Sequence, residues 1–190
     1  MTRLSRKLLI VLLPLLASCI TTYRDFPTTM IGEAPTSKPY DALAYHINPF
    51  PVINSGGEAA LEVVFRERTP FAKTRSVNEM PAKGLYCLVN VEWRPLSLPA
   101  LAFGYLSVST LTLLPAWSTS EGYVVHYHLF KDGEEGESFS YPITRKMGLW
   151  AGLLPFVWVN LFTYSEEQAF EATAYQFFKD AAPTFRPAGR

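Results

Sequence analysis

No side chain carries a formal charge between Arg94 and Glu121, nor between Lys146 and Glu166. These two uncharged stretches, 95–120 and 147–165, constrain the fold more than anything else in the sequence. A membrane span needs about 20 apolar residues, so both pass on length. Both are broken by proline: Pro99 and Pro115 in the first, Pro155 in the second. Both carry aromatics that favour a membrane interface, namely Trp117 in the first and Trp150, Trp158 and Tyr164 in the second. Three arrangements compete: two transmembrane helices, proline-broken segments dipping into one leaflet, or core elements of a soluble domain. The intervening loop sets Lys131, Arg145 and Lys146 against Glu121, Asp132, Glu134, Glu135 and Glu137. Positive-inside support for a span is therefore weak. Ser107, Val108, Ser109, Thr110 and Thr112 favour strand or irregular structure in the first stretch. Trp150 and Trp158 are about two helical turns apart, with Pro155 between them as a kink. A kinked, Trp-flanked segment suits the headgroup level better than a straight crossing. The expectation is peripheral insertion, with Trp117, Trp150, Phe156 and Trp158 as membrane or ligand contacts.

The rest of the chain reads as an α+β domain over 40–183. Strands are expected at Tyr40–Ile47, Gly84–Trp93 and Gly122–Lys131, the last turning at Asp132-Gly133 into a return strand at Ser138–Ile143. Ser55 to Glu58 and Ser165 to Gln168 have the spacing of capping boxes, each opening a helix. Ala60, Leu61, Val64 and Phe65 share one face of the first helix; Phe170, Ala174, Phe177 and Phe178 form the stripe of the second. The expected fold is a small, mostly antiparallel sheet of three or four strands with two helices and the two long apolar stretches. Residues 184–190 are a tail.

Chemistry is sparse. No nucleophile-elbow, phosphate-loop, dinucleotide or zinc-protease spacing occurs, so no enzyme, cofactor or catalytic residue is expected. His126 and His128 lie two apart on a strand and share a face, a weak metal candidate that needs a third ligand. His46 is the only other histidine. The formal net charge is zero, and no basic field for nucleic acid exists. There are two cysteines; Cys87, on the apolar face of its strand, reads as a small buried apolar residue.

The N-terminus is the sharper signal. Arg3, Arg6 and Lys7 precede an apolar run from Leu8 to Leu16, then small Ala17 and Ser18. That is the layout of a secretory signal, over residues 1–18. Leu16-Ala17-Ser18-Cys19 resembles the lipobox of bacterial lipoproteins. The resemblance implies that the Cys19 thiol is alkylated by a diacylglycerol and that cleavage occurs just before it, leaving palmitate-type chains on the new N-terminus. Ile20, where inner-membrane lipoproteins tend to carry Asp, implies the outer membrane, to which α-helical spans rarely go. Residues 19–39, rich in Thr and Pro without periodicity, then read as the lipidated N-terminus and a tether.

The order of the mature chain is also similar to that of poorly characterised envelope lipoproteins and of lipoproteins serving secretion or wall-synthesis machines. This implies a non-enzymatic, lipid-anchored envelope protein facing the periplasm, structural or accessory to a membrane assembly. Its partners would be membrane lipid through Cys19 and another envelope protein. A binding module for a small apolar or lipid ligand is the alternative.

Overall fold

A computed structural model describes residues 19–51 and 56–185. In chain order it contains β1 (Cys19–Arg24), β2 (Tyr40–Ile47), α1 (Gly57–Arg66), β3 (Phe71–Ser76), β4 (Leu85–Arg94), α2 (Leu98–Ser109), β5 (Ala116–Lys131), β6 (Glu134–Leu149) and α3 (Glu166–Asp180). Stretches of 3-10 helix occupy Thr28–Met30, Ala151–Phe162 and Ala182–Thr184. The class is α+β. The sheet has six strands in the order β1-β6-β5-β4-β2-β3. It is mixed rather than mostly antiparallel: β1 runs antiparallel to β6, whereas β2 is parallel to both β3 and β4. The parallel pair β2 and β3 arises because α1 lies between them in the chain and serves as the crossover that parallel strands require. β5 and β6 meet at Asp132 and Gly133, both at positive φ (53° and 84°), as a tight two-residue hairpin demands.

Several elements, β3 among them, depart from the sequence reading. The segment read as a tether begins with a strand, β1. The first uncharged stretch, expected to avoid helix, contains α2. Ser97 caps it by accepting a hydrogen bond from Ala100 N–H, and Pro99 falls in the first turn, where its missing N–H costs nothing. The hairpin strands run to sixteen residues each, because Ala116 to Thr119 alternate buried and exposed and so continue β5 back into the uncharged stretch. Of the two capping boxes, Ser165 and Gln168 form theirs. Ser55 lies outside the described residues, as do the signal 1–18 and residues 186–190; α1 starts from Gly56, at φ 121°.

The contacts divide the chain into two compact units, where the sequence reading has one domain over 40–183. The larger one comprises Asp25–Trp93, Tyr123–Ile143 and the chain from Ser165. Its core is aromatic. Phe177 of α3 stacks on Tyr127 with centroids 4.5 Å apart, and Phe65 of α1 stacks on both from 6.2 and 6.3 Å. Thr173 donates to the Phe170 carbonyl, so its oxygen accepts the buried Tyr127 hydroxyl at 2.9 Å. α1 and α3 approach closely at Gly57, where a Cβ would come within 2.5 Å of the Phe170 ring. Cys87 is fully buried, and that burial pushes its thiol pKa well up. It is an inert core residue.

Candidate functional site

The other unit comprises, among the described residues, 19–24, Arg94–Gly122 and Thr144–Tyr164. It therefore holds β1, α2, the start of β5, the end of β6 and the 3-10 stretch Ala151–Phe162. Both uncharged stretches fall inside it, up to Tyr164. Its surface is inverted with respect to an ordinary globular unit. Apart from Met80 and Trp93, every exposed large apolar side chain among the described residues belongs here. Leu98, Tyr105, Val108, Leu111, Leu113 and Leu114 are exposed on α2 and the turn after it; Leu161 and Phe162 are 83% and 78% exposed at the end of the 3-10 stretch. Scattered apolar residues are normal on a surface, but a contiguous run of this kind marks an interaction face.

Hydrogen bonds weld the two apolar segments together. Ala151 N–H donates to the Thr112 carbonyl at 2.8 Å, and the Trp150 indole N–H donates to the Leu113 carbonyl at 3.2 Å. The turn that accepts them is strained: Leu111 and Thr112 both hold positive φ, 52° and 63°, which costs a β-branched residue most. The strained turn points three leucines (Leu111, Leu113 and Leu114) at solvent. Phe103 stacks on Trp117 at 5.8 Å, and Trp158 meets Phe162 edge-on at 6.1 Å.

Trp117, Trp150, Phe156 and Trp158 are thus all exposed, at 59, 42, 52 and 56%. Trp117 lines an open apolar groove of about 280 Å³ between α2, the start of β5 and the end of β6. Pro155 falls inside the 3-10 stretch, which suits a residue without a backbone donor. α2, with twelve residues, is about 18 Å long against a hydrocarbon core of about 30 Å. No helix among the described residues is long and apolar enough to cross a membrane.

Cys19 stands at the same place. It opens β1 opposite Leu149 of β6 and is half-buried. One side chain ties it to the apolar segment: Asn160 Nδ2 donates to the Cys19 carbonyl at 2.8 Å, and Asn160 Oδ1 accepts from Thr21 N–H at 3.0 Å. Asn160 did not stand out in the sequence reading, although a lone amide within 147–165 must find partners where apolar neighbours offer none. Glu121 counts by sequence among the charges between the two uncharged stretches. It is fully buried and paired with Arg145 across β5 and β6 at 2.9 Å.

The histidines lie elsewhere, in the larger unit. His126 and His128 share a face with rings 6.3 Å apart, and each bonds a serine of β6, Ser140 and Ser138. Glu92 is 3.5 Å from His126. His46 pairs with Leu88 in the sheet, away from them. Among the described residues no three metal-ligating side chains come together.

No family model matches the chain and no curated protein is similar to it. Among solved structures the chain is similar to a minor lipoprotein from Acinetobacter baumannii, at 11% identity over 80% of this chain and 98% of that one, with a TM-score of 0.38. It is also similar to the PelC dodecamer from Paraburkholderia phytofirmans, at 10% identity over 83% of this chain and 95% of that one, with a TM-score of 0.26. Scores this low do not carry a functional argument, which rests on the side chains above.

Proposed function

We propose that this chain is a lipid-anchored, non-enzymatic envelope protein that lies on a membrane surface through Cys19 and the apolar face around it. The observation that carries this reading is the Asn160 bridge, which fixes the lipobox cysteine to the segment bearing Trp158, Leu161 and Phe162. Lipid chains leaving Cys19 and apolar side chains leaving residues 156–162 then enter the same leaflet. One acyl chain holds a protein only marginally, and a second apolar contact makes the attachment firm. With β1 starting at the cysteine itself, the unit sits directly on the headgroups instead of hanging on a tether. The address is the outer membrane, facing the periplasm, as a structural or accessory part of a membrane assembly.

Metabolic labelling with a palmitate analogue tests the anchor: the native chain takes the label, and Cys19→Ala neither takes it nor is cut. The face is tested with Cys19→Ala placed behind a cleavable non-lipoprotein signal. Part of that protein stays with membranes and is stripped by carbonate. Label retained by Cys19→Ala overturns the anchor, while complete solubility before any wash overturns the membrane face.

A further inference from the structure

The apolar groove of the smaller unit lies beside Cys19, and on the reading of Cys19 as the lipidated residue it acquires an occupant. The groove is lined by Leu101, Gly104, Tyr105 and Val108 of α2 and its surroundings, by Trp117 and Ser118 of β5, and by Met147 and Leu149 of β6. Cys19 is the register partner of Leu149, and Thr21 that of Met147. Directly opposed residues of an antiparallel pair share a face, with Cβ atoms about 5 Å apart. The Cys19 thiol therefore stands at the rim of the groove, on the face that Met147 and Leu149 line.

A second observation points to the ligand. The groove wall is mostly apolar, and one of its residues, Ser118, is 3% exposed with a hydroxyl that has no partner among the described residues. A buried hydroxyl without a partner costs free energy unless a ligand supplies one. An ester carbonyl oxygen, flanked by methylenes, meets both demands. β5 lies two strands from β1, about 10 Å away, within reach of the first ester of a glyceryl group on Cys19. The volume, about 280 Å³, is at the small end for ligand sites and suits one extended chain rather than a bulky molecule.

We infer that one acyl chain of the lipid on Cys19 folds back into this groove, its ester carbonyl accepting from Ser118, while the remaining chains enter the membrane. The anchor then also clamps α2 onto the sheet.

The test feeds cells a fatty acid carrying a diazirine and an alkyne. The labelled, full-length lipoprotein is purified in detergent, irradiated and digested, and its cross-linked peptides are mapped. The expected result is intramolecular cross-linking of the Cys19 lipid mainly to α2 and to Trp117–Ser118. Gly104 provides the control, because a Cβ there meets nothing within 4 Å. Gly104→Leu fills the groove at a helix position that favours leucine over glycine, and it should cut those cross-links several-fold without loss of the label. Cross-links spread over residues 156–162, or unaffected by Gly104→Leu, overturn the inference while leaving the lipidated anchor standing. Absence of label from Cys19 overturns both. If Cys19→Ala cross-links labelled phospholipid through the same residues, the groove holds a bilayer chain and not the protein's own.

Discussion

Replacing Trp158, Leu161 and Phe162 together by serine separates an apolar membrane face from a merely exposed one. Full burial of a side chain of this size contributes about 1.5–3 kcal/mol. These three already have part of their area covered, being 56, 83 and 78% exposed. Scaled by those fractions, each has about 1–2.5 kcal/mol left to gain, or about 5 kcal/mol together at the middle of the range. Trp158 and Phe162 touch, so their contributions overlap, and the interface buries less than the hydrocarbon core; halving the sum leaves about 2.5 kcal/mol. At about 1.4 kcal/mol per tenfold, vesicle partitioning should fall by between about 50-fold and more than 1,000-fold. The assay is co-sedimentation of unlipidated Cys19→Ser protein with vesicles of phosphatidylethanolamine and phosphatidylglycerol, with and without the triple substitution. Exposed positions change stability by only about 0.5 kcal/mol each, so the three together should move the melting temperature by no more than about 6 °C. Binding driven by this face should also persist at high salt, since the face carries no charge. Partitioning unchanged within about threefold, with melting preserved, would refute the assignment of residues 156–162 to the membrane.

Two stability measurements probe the rest of the structure. Phe177 is fully buried and stacked on Tyr127, so Phe177→Ala should cost about 3–5 kcal/mol in chemical denaturation. Phe177→Asp adds a buried charge and should abolish cooperative unfolding; a native-like midpoint for either would mean that the α3 stripe is not core. Arg145→Ala leaves the buried carboxylate of Glu121 without its partner and should cost about 3–5 kcal/mol, whereas Glu121→Leu with Arg145→Met should recover most of that loss. Equal destabilisation by the single and double replacements would show that the charge pair is not what Arg145 supplies.

Periodicity made the larger unit legible. The α3 stripe, its capping box and the Asp132-Gly133 turn are local patterns with local causes, and all three are formed. The crossover that makes the sheet mixed was not legible, because β3 is a short edge strand whose Lys73 and Arg75 give no run of strand formers. β1 was missed for a different reason. Thr21 and Thr22 read equally as tether or strand, and only the partner β6, more than a hundred residues later, decides between them. In the smaller unit, hydrophobicity identified the segments that matter but not their conformation. α2 has apolar side chains on all sides, so no stripe announces a helix. The importance of Asn160 and Ser118 depends on which strands lie side by side, which spacing along the chain does not reveal.

The Asn160 bridge has a consequence for crowding. Cys19, Thr21 and Tyr23 turn their outer backbone groups away from β6. Three of these are met: the Cys19 carbonyl and the Thr21 N–H by the Asn160 amide, and the Tyr23 N–H by the Tyr164 carbonyl. An amide and a carbonyl thus stand where a further strand would otherwise pair. A protein confined to a membrane plane meets its neighbours sideways and at high local density, and an open strand beside the anchor would be the first thing they touched. With these groups already met, and with Lys73 and Arg75 on β3 at the opposite edge of the sheet, neighbours in the proposed membrane setting find little bare strand beside the anchor.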